Sequence, residues 1–167
     1  MRILLIARGC RPGAGIPAYT HHLAVRLSRN HRVAVLSRTA ACAPGPYRIV
    51  PVTAPRWPRW ADIYTFSLAA GERARRESRD VVHTQGSDGS WGDVVTAHAC
   101  HWAGMLASLR RDPSRRNRRR KAWSMSHRAV VGLERRALFS ARRIVPVSDR
   151  VRRELHTHYP QTRRIPM

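Results

Sequence analysis

The chain has 167 residues, 43% of them hydrophobic, which suits a single domain with a core of its own. Its formal net charge is +22, and such a field attracts polyanions such as nucleic acid, anionic lipid headgroups and phosphorylated substrates. No apolar run reaches the roughly 20 residues of a membrane-spanning helix, and none has the layout of a signal peptide, so we expect a cytoplasmic protein.

Arginine carries nearly all of this positive charge, because Lys121 is the only lysine. Two interpretations of the excess stay open from the sequence. It is either a surface that binds anions, or the imprint of a genome whose base composition favours arginine codons.

In the first half of the chain, short apolar runs alternate with amphipathic stretches. The apolar runs predict strands at residues 2–8, 32–37 and 47–52. The third contains Pro51, which cannot donate a hydrogen bond to a neighbouring strand, so we expect it near a sheet edge. After the first strand, a loop rich in Gly and Pro (residues 9–17) leads into a helix, for which Asn30 is the expected stop.

The second half of the chain repeats this alternation. Strands are predicted at residues 80–84, 93–98 and 143–147, with a further strand starting at 164–167. Helices are predicted at residues 60–77, 102–109, 124–142 and 151–159. Ser148 suits the N-cap position of the last helix.

The order of these elements indicates the fold class. Strands that alternate with helices favour right-handed crossovers and a mostly parallel sheet, so we predict a doubly wound α/β domain of the Rossmann-like type. Ligands of such domains bind at the carboxyl ends of the strands, near the point where the strand order reverses. The segments where we look for ligand-binding residues are therefore those that follow strands: residues 9–16, 85–90, 98–101 and Ser148.

Five segments, in order and at sensible spacing, resemble the N-terminal domain of retaining glycosyltransferases of family 4. They are residues 12–24 (PGAGIPAYTHHLA), 30–37 (NHRVAVLS), 80–83 (DVVH), 94–98 (VVTAH) and 143–155 (RIVPVSDRVRREL). Where the family commonly has a Gly-Gly pair, this chain has Ala14-Gly15, and where the family has Gly-His, it has Asn30-His31. No single motif is specific, but the resemblance covers nearly the whole chain.

The resemblance implies a two-domain GT-B architecture, of which this chain is the N-terminal half. Residues 1–164 would form the acceptor-side domain, and residues 165–167 would begin the linker to a C-terminal donor domain. The reaction implied is transfer of a sugar, with retention, from a nucleotide-diphosphate sugar to a sugar or lipid-linked acceptor. That donor is a substrate, and no further cofactor is expected. The domain alone would be incomplete and inactive, with its second half on the same chain or on a separate one.

The resemblance also assigns roles to the candidate site residues. His98 is the expected catalytic residue, donating a hydrogen bond to the transferred sugar or its leaving phosphate. Gly13 and Gly15 are expected to turn the backbone towards the donor phosphates, and Asp88 and His101 to bind the acceptor. Each role has a structural alternative. The histidines would be satisfied by hydrogen bonds within the fold, the glycines would form a plain strand-to-helix turn, and Asp88 would cap its own loop.

We expect no metal site. His98, Cys100 and His101 form a tempting cluster, but their spacing suits tetrahedral zinc poorly and no partner pair is visible. The cysteines are three in number and far apart, which favours free thiols.

The basic stretch at residues 110–121 is the expected contact with an anionic surface. Its cationic side chains after the proline are Arg115, Arg116, Arg118, Arg119, Arg120 and Lys121. Together with the neighbouring Trp123, they suit a peripheral contact with the inner face of an anionic membrane. The alternative is a solvated loop.

Two other classes of function compete with sugar transfer. One is a basic module that binds nucleic acid or anionic membrane, although the sequence lacks any helix-turn-helix, zinc-finger or RNA-binding aromatic pattern. The other is a non-catalytic remnant of a transferase.

Overall fold

The computed structural model describes residues 1–38, 41–55, 57, 61–111, 114 and 124–167. Within these ranges a single sheet holds six parallel strands in the order β3-β2-β1-β4-β5-β6. The strands are β1 Arg2–Ile6, β2 Arg32–Ser37, β3 Arg48–Pro51, β4 Val81–Gln85, β5 Val94–Ala97 and β6 Arg143–Pro146. The predicted doubly wound α/β fold is confirmed, and Pro51 ends the edge strand β3, as its missing N–H requires.

Five α-helices connect the strands in the described part of the chain. They are α1 Gly15–Leu27, α2 Asp62–Arg76, α3 His101–Arg111, α4 Met125–Ser140 and α5 Asp149–His158. Short 3₁₀ helices follow β4 at Gly86–Asp88 and α5 at Pro160–Arg164. Ser148 caps α5 as predicted, since its side chain accepts a hydrogen bond from the Val151 N–H at 3.3 Å.

After the exposed Arg2, the run RILLI at β1 is apolar and buried because both faces of the sheet are covered. Ile3 and Leu5 pack in the cluster that holds Ala24 of α1, whereas Leu4 and Ile6 pack in the cluster that holds Phe66 of α2. Alternate residues of one strand thus bury against different helices. A third cluster joins β5 and β6 to α4 and α5.

Two local expectations are wrong. Helix α1 ends at Leu27 with Ser28 in a right-handed conformation, and no described residue other than glycine has a positive φ, so Asn30 is not a left-handed stop. No strand forms at residues 164–167. Ile165 there packs against the β5–β6 cluster, and the Pro166 carbonyl accepts a single hydrogen bond from the Ile144 N–H at 2.9 Å.

Candidate functional site

β1 and β4 are hydrogen-bonded neighbours at the centre of the sheet. The chain continues from β1 to β2, towards one edge of the sheet, and from β4 to β5, towards the other edge, so the strand order reverses between β1 and β4. The carboxyl ends of β1, β4 and β5 meet at one edge there. Arg8 follows β1, Asp88 lies just beyond β4, and His98 comes directly after β5. In doubly wound folds this crevice is the usual place for a ligand.

The glycine loop between β1 and α1 depends on positive φ angles. Gly13 has φ +125° and Gly15, the first residue of α1, has φ +72°. No side chain approaches an added Cβ closely at either position, so backbone conformation, not space, requires glycine there. The N-cap residue Ala14 makes no side-chain hydrogen bond to the helix, which leaves the first turn of α1 without a side-chain cap.

A surface pocket of about 470 Å³ opens beside this loop. Its lining residues are Arg8, Gly9, Arg11, Ile16, Pro17, Ala41 and Asp88. Two arginines and the start of α1 make this pocket cationic on one side, while Ile16 and Pro17 give it an apolar wall. A small polar ligand that carries negative charge suits such a lining.

Asp88 is almost fully buried and is bound by Arg8 through both of its oxygens. Oδ2 accepts a hydrogen bond from the Arg8 backbone N–H at 2.9 Å, and Oδ1 accepts one from Arg8 Nε at 2.7 Å. Only 5% of Asp88 is exposed. The carboxylate therefore fixes the Arg8 side chain in the pocket, a role that the sequence did not suggest for it.

Two further residues extend this pair into a network of alternating charge. Arg8 NH1 lies 3.8 Å from Asp62 Oδ2, and Arg38 NH2 donates to Asp62 Oδ1 at 2.6 Å. We call Arg38, Asp62, Arg8 and Asp88 the charge network. Arg8 and Arg38 were not singled out from the sequence, although Arg8 ends the predicted strand 2–8 and Arg38 directly follows the predicted strand 32–37, which is the signal that marks them.

His98 is held from two sides. Its Nε2 lies 2.9 Å from Gln85 Oε1, and the Tyr19 ring meets it edge-on, with 4.9 Å between ring centroids. Burial lowers the pKa of His98, and the nearby negative charge of Asp88 opposes this shift. The imidazole is therefore mainly neutral at neutral pH. Gln85 was not singled out from the sequence.

His101 contacts α4 and not the glycine loop. As the first residue of α3, it donates its backbone N–H to Glu134 Oε1 at 2.8 Å, and its Nε2 lies 3.1 Å from His127 Nδ1. Burial and the neighbouring His127 lower the pKa of His101. The structure thus groups His98, Asp88 and the glycine loop at one edge, and gives His101 separate partners.

The remaining candidates have structural contacts or lie outside the described residues. His83 pairs with Thr96 Oγ1 at 2.7 Å inside the sheet, and burial together with His98 lowers the pKa of His83 to about 4. The three cysteines are free thiols. The expected anionic-surface residues, Arg115, Arg116, Arg118, Arg119, Arg120 and Lys121, lie outside the described residues, as does Trp123.

Neither a cluster of metal ligands nor a membrane-spanning helix occurs in the described ranges. Within them, no three His, Cys, Asp or Glu side chains lie close enough together to hold a metal ion. Among the same residues, no helix combines the length and the apolar character needed to cross a bilayer.

A six-stranded parallel sheet with helices between its strands, and charged and histidine side chains at the reversal of strand order, defines a Rossmann-like α/β domain. The sequence profile of Glycosyltransferase Family 4 matches residues 13–166. The chain belongs to this family, and the resemblance stated from the sequence is confirmed.

One solved structure shows how the fold compares. The chain is similar to WaaG, a glycosyltransferase involved in lipopolysaccharide biosynthesis, with a TM-score of 0.73 and 16% sequence identity. The match covers 96% of this chain and 42% of the WaaG chain, so it supports the fold and spans less than half of that enzyme. A search of curated proteins by sequence found no match.

Proposed function

We propose that this domain is the acceptor-side half of a retaining glycosyltransferase that uses a nucleotide-diphosphate sugar. One observation carries the proposal: in a domain of this family, the glycine loop, the Arg8–Asp88 pair and His98 lie at the carboxyl ends of adjacent strands. That grouping supplies a helix start, a fixed arginine and a histidine at one edge of the sheet, which are groups that phosphoryl and sugar ligands need.

The proposed roles follow the geometry. Gly13 and Gly15 turn the backbone so that the uncapped first turn of α1 faces the donor diphosphate. His98 contacts the transferred sugar or its leaving phosphate. Asp88 contributes to acceptor binding through Arg8, whose guanidinium it holds in the pocket. His101 is proposed to line the acceptor side from the start of α3.

A second domain is proposed to complete the active site. The family resemblance puts most donor contacts on the other half of a GT-B enzyme, and the chain spans 42% of WaaG. We propose that residues 1–164 act with such a half, carried on the same polypeptide or on a partner chain, and that residues 165–167 lead towards it. On this proposal the isolated domain does not catalyse transfer.

The charge of +22 favours a second property. We propose a cytoplasmic protein that docks on an anionic membrane, where a lipid-linked acceptor is held, since each cationic side chain near such a surface contributes about 1 kcal/mol. A nucleic-acid-binding module and a non-catalytic remnant are the competing functions. Steeply salt-dependent binding to DNA without any sugar transfer favours the first of these.

The decisive experiment uses the protein as isolated from its native source, together with whatever second domain accompanies it. It is incubated with UDP-glucose or GDP-mannose and a set of acceptors, and the product anomer is read by NMR. We expect a retained anomer, and a His98→Ala loss of about 100-fold or more in kcat/KM. His22→Ala, a variant of an exposed histidine on α1, is the matched control. Equal activity of the two variants contradicts the role of His98, and absence of transfer with every donor contradicts the proposed function.

A further inference from the structure

Gln85 is a buried polar residue beside His98 at the carboxyl edge of the sheet. It is the last residue of β4, and 1% of it is exposed. The register of the sheet pairs Gln85 with Thr96, and His98 follows two residues later, directly after the end of β5. The 2.9 Å contact between Gln85 Oε1 and His98 Nε2 is therefore built by the pairing of β4 with β5.

The orientation of the Gln85 amide sets the direction of this hydrogen bond. Its oxygen faces the ring and can only accept, so His98 Nε2 carries the hydrogen and donates it. A neutral imidazole has one N–H, and the other nitrogen then carries a lone pair. Since burial keeps His98 mainly neutral, the free nitrogen is Nδ1, and it accepts hydrogen bonds.

A second observation separates Gln85 from an ordinary packed residue. Its Nε2 is buried and has no hydrogen-bond partner among the described residues. Leaving a buried amide N–H unpaired costs about 1–3 kcal/mol, and an apolar side chain of similar size would avoid that cost. Tyr19 packs against the same ring in a T-shaped arrangement, which restricts the orientation of the imidazole.

We propose that Gln85 is a positioning residue that fixes His98 in the Nε2–H tautomer, so that Nδ1 accepts a hydrogen bond from the bound substrate. This inference rests on the proposed function only for the identity of that substrate. It changes the expected role of His98 from donor to acceptor, because an accepting Nδ1 binds a hydroxyl group of the sugar or acceptor and does not bind an unprotonated phosphate oxygen.

The tautomer is measured directly on this chain, without any assay of transfer. Long-range ¹H–¹⁵N spectra of histidine-labelled protein distinguish a protonated Nε2 from a protonated Nδ1, and the His98 signals are identified by their loss in His98→Gln. We expect the proton on Nε2. A proton on Nδ1 in the wild-type protein overturns the proposal, and this result needs no variant of Gln85 to fold.

Two variants test the cause. Gln85→Glu keeps an acceptor and adds a negative charge beside Nε2–H, so the His98 titration moves to higher pH. Gln85→Met removes the acceptor at similar volume, so the Nδ1–H tautomer becomes populated. Gln161→Glu adds the same charge at an exposed position and should leave His98 unchanged. An unaltered His98 titration and tautomer in both Gln85 variants, with folding intact by circular dichroism, overturns the proposal.

The transfer assay separates this inference from the proposed function. In the native enzyme, Gln85→Glu should move the acidic limb of the kcat/KM profile to higher pH, with activity recovered above it, whereas Gln85→Met should lose activity at every pH. An Nε2–H tautomer in a protein that transfers no sugar refutes the function and leaves the tautomer assignment standing. Transfer of sugar by a protein whose His98 is protonated on Nδ1 refutes the tautomer assignment and leaves the proposed function standing.

Discussion

Arg8 and Asp88 lie 80 residues apart in sequence and are joined by two hydrogen bonds at the carboxyl edge of the sheet. One comes from the Arg8 backbone N–H and the other from its Nε, so a single carboxylate fixes both the main chain after β1 and the guanidinium. This pair ties together the loops on the two sides of the reversal in strand order, which is where the candidate site lies.

Removing the charge of Asp88 should destabilise the domain. In Asp88→Asn, the amide accepts at one oxygen only, and one Arg8 donor in a nearly buried place loses its partner. Because the Arg8 side chain is 40% exposed, water compensates in part, and we expect a loss of about 1–2 kcal/mol in the free energy of unfolding by urea. Asp80→Asn breaks the exposed pair with Arg2 and serves as control. A loss as large in the control contradicts this account.

Glycine at positions 13 and 15 should be required for backbone reasons. Gly15→Ala and Gly13→Ala force a side chain into positive φ, at a cost of about 1–3 kcal/mol each. Gly104→Ala, within α3 and with open space around it, should instead stabilise the domain by up to about 1 kcal/mol, because alanine favours a helix. Thermal unfolding of the three variants measures the contrast, and a uniform effect would falsify it.

The stability of the domain should fall as pH drops from neutral towards 4, in part through His83. Its pKa is about 4 in the folded protein, against an ordinary value of 6.5. Between these values the unfolded chain binds a proton that the folded protein excludes, so protonation favours unfolding, by up to about 3 kcal/mol once both values are passed. Urea midpoints of His83→Gln, measured from pH 7.5 to 4, should show a shallower dependence than wild type.

The exposed His22 provides the control for this experiment. His22→Gln should keep the wild-type dependence on pH. The slope of His83→Gln should decrease without vanishing, because burial also lowers the pKa values of His98 and His101. An unchanged slope in His83→Gln would show that the folded protein accommodates the protonated ring.

Tyr159 should stabilise the buried charge of Glu134. Its hydroxyl donates to Glu134 Oε2 at 2.7 Å, while burial raises the pKa of Glu134. Tyr159→Phe leaves that oxygen unpaired, so we expect a loss of about 1–3 kcal/mol at neutral pH. The loss should shrink as pH falls below the raised pKa, where the protonated carboxyl is the buried form. Chemical unfolding at pH 7 and pH 4 measures it, with Tyr64→Phe on the exposed face of α2 as control.

The fold was predictable because its local signals are strong. A run such as RILLI has few uses other than a strand covered on both faces, and alternation with helices of ordinary length then dictates a parallel sheet. The end of the chain misled for the same reason: Ile165 is apolar and follows a basic run, but it packs on the β5–β6 cluster and makes no strand ladder. Hydrophobicity alone does not distinguish a residue in a strand from a residue that packs on the core outside the sheet.

The contacts of the site were less predictable. The sequence located His98, Asp88 and the glycine loop at strand ends, because strand ends are read from local patterns. The partners of these residues are set by register: Gln85 reaches His98 only because β4 pairs with β5 at Gln85 and Thr96. Likewise, the pairing of Arg8 with Asp88 depends on β1 lying beside β4, which the order of elements along the chain does not specify.

The charge network also makes the association rate and the dissociation rate of an anionic ligand depend on different interactions. Its two arginines and two aspartates cancel, so the network itself adds no net charge to the crevice of a molecule whose formal charge is +22. The long-range field accelerates encounter and weakens steeply with ionic strength. Residence in the crevice depends instead on short hydrogen bonds that salt screens little, so added salt should slow association far more than it changes the rate of dissociation.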